Sequence, residues 1–158
     1  MHTQYKCESI GELRDQQVRF APREKKIQQI DNAEQLLREI QIDKTYNFEF
    51  VCFRITGFRM DPGPIVMIDG GDLRNDLHAF IEDLSDSANL KADEFGQPVF
   101  TVNELSKRFN VSTKTISRWR QQGLVSRKFI FDGGRKRVGF LHTSVDQFSK
   151  NNLSLIHI

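Results

Sequence analysis

Apolar positions in the first part of the chain recur at helical spacing and then at strand spacing. Ile27, Ile30, Ala33, Leu37 and Ile40 follow one another at steps of three and four, and Pro22 suits a first helical position, so the pattern predicts a helix over about 22–40. From Tyr46 the period falls to two. Tyr46, Phe48, Phe50 and Cys52 alternate with Asn47 and Glu49 before the run turns apolar toward Ile55, which predicts a strand. Gly57 and the Pro62, Gly63, Pro64 cluster break it, and Ile65 to Ile68 predicts a second short strand. After Gly70 and Gly71, Asp72 is the expected N-cap of a helix carrying Leu73, Leu77, Phe80, Ile81 and Leu84 on one face. Residues 1–84 are therefore expected to form a small mixed α/β domain. The stretch 85–98 is polar, small and without periodicity, as expected of a linker.

A denser pattern follows between Thr101 and Leu124. Thr101 and Glu104 stand three apart, as a capping box requires, and Val102, Leu105 and Phe109 make one apolar face of a helix. Asn110 tolerates the left-handed conformation a tight turn needs, Val111 fills the gap between two helices, and Ser112 caps the second. Ile116 and Trp119 face inward, and Gly123 stands where a positive φ ends a helix. Beyond it, basic and apolar residues alternate on both sides of Asp132, Gly133 and Gly134, predicting a β-hairpin, and Thr143 is the expected cap of a closing helix with Val145 and Phe148 inside. The expected fold class is thus α+β: a mixed N-terminal domain followed by a winged helix-turn-helix over residues 99–150.

Charge sharpens this division. Net charge over the 158 residues is only +2, yet residues 1–98 hold 12 Lys or Arg against 18 Asp or Glu, while residues 99–158 hold 11 against 3. A basic module joined to an acidic one points to a nucleic-acid partner for the second part. No run of about 18 apolar residues and no signal-peptide pattern occurs. No membrane partner and a cytoplasmic location are expected. Cys7 and Cys52 belong to no CxxC pair, so neither a zinc site nor a disulfide framework is indicated.

With Ile116 and Trp119 inside, the opposite face of the second helix carries Thr113, Lys114, Ser117, Arg118 and Gln121. These are the candidate base-reading residues, since Arg and Lys read guanine and Gln reads adenine in the major groove of double-stranded DNA. Arg127 and Lys128 in the first hairpin strand and Arg135, Lys136 and Arg137 at its tip and second strand are candidates for the phosphate backbone or the minor groove, together with Arg120. Lys107 and Arg108 fit phosphate contact or mere solvation equally.

Other chemistry is poorly supported. The segment Ile68 to Asp72 lacks a P-loop lysine and places Asp69 and Asp72 where an anion would sit. Asp69, Asp72, Asp76, Glu82, Asp83 and Asp86 read as readily as a solvated helix face as a catalytic cluster. The four histidines, His2, His78, His142 and His157, show no ligand spacing. No catalytic residue, cofactor or metal is expected, and the chain is read as a binding protein rather than an enzyme.

The order of these elements, with the Trp119 to Gly123 helix ending, the basic wing and the capped last helix, resembles the winged helix-turn-helix of the MerR and phage excisionase class over about residues 98–150. More of the chain carries a second resemblance. LRDQQVRFAPREKK, FEFVCFRITGFR and IEDLSDSANL, followed by SKRFNVSTKTISRWR and GRKRVGFL, resemble the N-terminal part of a class of bacterial RNA polymerase sigma factors. That resemblance implies transcription initiation as the process and core RNA polymerase as partner of the intact protein. By that resemblance the sigma regions that bind polymerase and promoter would follow Asn152, so the chain is expected to be a truncated sigma-factor-like protein. Leu153 to Ile158, LSLIHI, resembles sequencing-adaptor read-through and is expected to be a non-native tail.

Three rival readings stay open on the sequence. The chain could be a complete small repressor or excisionase-like factor, for which two-fold symmetry and a palindromic target are expected. The second domain could dock protein rather than DNA. The first could be an enzyme or ligand sensor, for which a buried pocket with a perturbed carboxylate is expected. Oligomeric state is not legible.

Overall fold

The computed structural model describes residues 4–152; the proposed tail at 153–158 lies outside the described residues. The protein is mixed α+β, with seven helices and two small antiparallel sheets among the described residues. It divides into two compact units, one up to Ala88 and one from Asn89.

The first unit contains α1 (Glu8–Phe20), α2 (Arg23–Glu39), β1 (Thr45–Asn47), α3 (Phe48–Thr56), β2 (Met67–Asp69) and α4 (Gly70–Ala88). Helix α4 is its spine. Leu73, Leu77, Phe80, Ile81 and Leu84, the face expected from spacing, are all fully buried, against α1 and α2. Each such side chain contributes about 1.5–3 kcal/mol of burial. Helix α1, which the pattern did not predict, is tied to α4 by two buried or half-buried carboxylates. Asp76 accepts from the Lys6 and Cys7 backbone N–H groups at 2.8 Å each, and Asp83 accepts from Tyr5 Oη at 2.8 Å and Arg14 Nε at 2.9 Å. Burial, reinforced by the Asp83 charge, pushes the Tyr5 phenol far above its ordinary range.

Three expectations for this unit are corrected. The strand expected from Tyr46 to Ile55 is confined to Thr45–Asn47, and Phe48 to Thr56 is helical. Asn47 accepts a 2.8 Å bond from the Glu49 N–H as N-cap, and the buried residues Phe48, Val51, Cys52 and Ile55 fall at steps of three, one and three. The aromatic alternation arose because Phe50 and Phe53 are exposed on the other face of the same helix. The second strand is shorter than expected, with Thr45 opposite Asp69 and Asn47 opposite Met67. Asp72 is not the cap of α4. The helix begins at Gly70, and Asp69 Oδ2 receives the Gly71 N–H at 3.2 Å.

The stretch 85–98 is largely built into structure. Helix α4 runs on to Ala88 with Ser85 buried. Beyond it Leu90 is fully buried, its carbonyl accepts from Ile130 N at 2.7 Å, and Ala92 N returns a 2.9 Å bond to Ile130 O. The second unit continues with β3 (Val99–Thr101), α5 (Val102–Phe109), α6 (Thr113–Gln121), β4 (Arg127–Ile130), β5 (Lys136–Leu141) and α7 (His142–Asn151). Its sheet order is β3-β5-β4, antiparallel throughout; the expected hairpin is present and β3 is an addition to it. Thr143 does not cap α7. It lies inside the first turn, and its N–H is satisfied from outside the helix by Gln97 Oε1 at 2.9 Å.

Candidate nucleic-acid interface

Helix α6 is held by short-range chemistry on three sides. In α5 the capping box is complete: Thr101 Oγ1 accepts from Glu104 N at 3.1 Å, and Glu104 Oε1 accepts from Thr101 N at 2.8 Å. Asn110 adopts the left-handed conformation at φ 55°, ψ 48°, so the chain leaves α5 sharply. Val111 N then donates to Ser106 O at 3.0 Å and Asn110 N to Lys107 O at 3.2 Å, the paired bonds of a Schellman ending. Ser106 Oγ donates to Val111 O and clamps the turn. Ser112 receives the Thr115 N–H at 3.2 Å, and α6 starts there. At its far end the same paired bonds recur. Leu124 N reaches Trp119 O at 2.9 Å and Gly123 N reaches Arg120 O at 3.3 Å, with Gly123 at φ 120°.

The inward face of α6 is fixed by packing. Ile116 and Trp119 join Leu105, Leu124, Phe140, Val145 and Phe148 in one buried cluster, with Val111 against it. Trp119 meets Phe109 edge-on at 5.6 Å and Phe148 at 5.8 Å. It is a core residue and not a stacking platform. The opposite face exposes Thr113, Lys114, Ser117, Arg118 and Gln121 together, all five at the positions expected, and α6 carries no acidic residue. Arg118 is steadied within its own helix, its guanidinium donating to Thr115 Oγ1 at 3.3 Å.

The hairpin tip is closed by Phe131 N donating to Arg135 O at 2.9 Å and Gly134 N to Phe131 O at 3.0 Å, with Gly133 and Gly134 at positive φ. Arg135, Lys136 and Arg137 are exposed beside it. Two expected backbone contacts are corrected by burial. Arg127 is only 5% exposed, its guanidinium 5.8 Å from the Phe95 ring centre, because β4 alternates and Arg127 shares the inward face with Phe129. Arg120 is half-buried, with Nε donating to Ser126 Oγ at 3.2 Å, so it braces the segment after α6. Lys128 is half-buried, on the other face of β4. Lys107 is exposed, and Arg108 lies with its guanidinium 5.1 Å from the Phe100 ring centre. Phe95 and Phe100, which hold these two arginines, belong to no motif and were not singled out from the sequence.

Among the carboxylates considered for chemistry, Asp76, Asp83 and Asp69 have the structural bonds described above. Among the described residues no group of three His, Cys, Asp or Glu side chains is placed to hold a metal ion, and no helix is long and apolar enough to cross a membrane. Comparison of the chain with protein-family models, curated proteins and solved structures gives no match.

Proposed function

We propose that the second unit is a winged helix-turn-helix that binds double-stranded DNA, with α6 in the major groove and the β4–β5 hairpin as a basic wing along the phosphate backbone. The observation that carries this reading is the exposed face of α6. Thr113, Lys114, Ser117, Arg118 and Gln121 stand side by side there, hydrogen-bonding groups without a carboxylate, while the opposite face is anchored by Ile116 and Trp119. A rigidly presented helix with that composition matches the donor and acceptor pattern of base edges. Arg135, Lys136 and Arg137 then supply sequence-independent attraction. Arg127 and Arg120 brace the fold in this reading and are not contacts. The resemblance to the N-terminal part of sigma factors extends the proposal to transcription initiation, with core RNA polymerase as the partner of the intact protein.

The test is fluorescence anisotropy of the full chain with labelled mixed-sequence duplex DNA across a salt series. Affinity is expected to fall steeply, with a log–log slope of about −3 or steeper if several phosphates are neutralised. No binding at low salt would overturn the reading and leave α6 as a protein-docking surface.

A further inference from the structure

Thr115 lies half-buried in the first turn of α6, three residues before Arg118. Its hydroxyl joins two neighbours. Ser112 Oγ, at the N-cap, stands 3.1 Å away, and Arg118 Nη2 donates to Thr115 Oγ1 at 3.3 Å. A threonine hydroxyl has two favoured orientations in a helix, and the contact with Ser112 holds this one. Ser112 is itself anchored, because its Oγ accepts the Thr115 N–H at 3.2 Å. The guanidinium of an exposed arginine is thus tied through one hydroxyl to the start of its own helix.

The chemistry of that tie suits an arginine with a second partner to bind. A guanidinium has five N–H donors, and one spent on Thr115 leaves four, enough for the two-bond fork that pairs with guanine O6 and N7. The tie is also to a neutral group. Helix α6 carries no acidic residue, so no carboxylate of its own helix offsets the Arg118 charge. An unrestrained arginine gives up rotamer freedom when it binds, and holding it beforehand reduces that loss. We infer that Thr115 is a positioning residue for base recognition: its hydroxyl presets Arg118 to read one guanine in the major groove. Thr115 acts through Arg118 and is not itself a base contact. The inference rests on the DNA-binding reading of α6, and adds to it the base that Arg118 selects and the residue that enforces the selection.

The test uses the full chain and a labelled duplex that it selects from a random-sequence pool, followed by fluorescence anisotropy with each base pair of that duplex replaced in turn. One G·C pair is expected whose replacement weakens the parent at least about ten-fold but Arg118→Ala less than about two-fold. Thr115→Val keeps the β-branched shape and the backbone N–H that Ser112 caps, and Thr115→Ala removes the same hydroxyl with a good helix former. In both, preference at that pair is expected to fall at least about three-fold, while Thr115→Ser keeps it within about two-fold of the parent. In the Arg118→Ala background, Thr115→Val is expected to change affinity less than about two-fold, because the partner is gone. No binding by the parent overturns the DNA reading and this inference with it. Binding by the parent with no such G·C pair overturns this inference alone. So does an undiminished preference in folded Thr115→Val and Thr115→Ala, an equal loss in Thr115→Ser, or a loss in Thr115→Val that persists in the Arg118→Ala background.

Discussion

Gly70 and Gly71 are neighbours in the first turn of α4, and the structure predicts opposite outcomes for replacing them by alanine. A Cβ at Gly70 would overlap the carbonyl oxygen of Gln41 and stand 2.8 Å from that of Lys44 and 2.9 Å from Ile42 Cα. All three are backbone atoms, so no side chain can rotate away. The Gly70 N–H also donates to Lys44 O at 2.7 Å, next to the Thr45 to Asp69 pairing that starts the β1–β2 ladder. Relieving the overlap means separating α4 from the 41–44 loop. Overpacking against fixed groups costs about 1–3 kcal/mol and the weakened hydrogen bond about 1 kcal/mol, against a helix-propensity gain of about 0.5–1 kcal/mol. Gly70→Ala is therefore expected to destabilise the first unit by about 2–3 kcal/mol, a fall of about 10 °C or more in Tm. At Gly71 the nearest atom to a new Cβ is Asp69 Oδ2, a side-chain atom at 3.3 Å. That contact yields by a small rotation, so Gly71→Ala keeps the helix-propensity gain and is expected to stabilise the first unit by up to about 1 kcal/mol. Urea denaturation followed through amide NMR signals of α2 and α4 measures both. Equal stability of the two variants would refute the close-approach argument.

Three further outcomes follow from local geometry. A Cβ at Gly139 would lie 2.8 Å from Phe129 Cδ2 and 3.0 Å from both Phe131 Cζ and Val99 Cγ1, so Gly139→Ala is expected to cost the second unit about 1–3 kcal/mol, read from Trp119 fluorescence during denaturation. Asn110→Ala, at φ 55°, is expected to cost about 1 kcal/mol by the same readout, whereas Asn110→Gly stays within about 0.5 kcal/mol. For Tyr5, whose folded pKa is raised, the native state favours the neutral phenol. Its contribution is complete below the unfolded value of about 10 and is lost as pH rises beyond it, so Tyr5→Phe should show a shallower alkaline loss of stability than the parent in denaturation at a series of pH values.

The turn between α5 and α6 was legible because its determinants lie within a few residues of one another. A capping box from Thr101 to Glu104, a left-handed Asn110 and a Schellman ending at Gly123 are written in short-range chemistry. The exposed face of α6 follows by elimination once Ile116 and Trp119 are placed inside. Distant partners were not legible. Helix α1 has only Ile10, Gly11 and Leu13 buried and is held by Asp76 and Asp83, about seventy residues away. The α3 pattern misled because two exposed phenylalanines filled the polar side of a short helix. Arg127 was assigned to the wing on charge, but it shares the inward face of β4 with Phe129 and meets the ring of Phe95, brought in from the stretch expected to be a linker. Strand β3 has three residues and takes its identity from β5, some forty residues on.

The central claim, that α6 reads DNA, is tested most directly by titrating labelled duplex DNA with the full chain and with its Lys114→Ala, Arg118→Ala double variant at one low salt concentration. Both side chains are exposed and outside the buried cluster, so the variant should keep the parent's denaturation profile. If they reach base edges or phosphates, each contributes about 1–3 kcal/mol where it reads a base, and the double variant should bind at least about ten-fold more weakly. Equal affinity of parent and variant, or no affinity in either, would contradict the account.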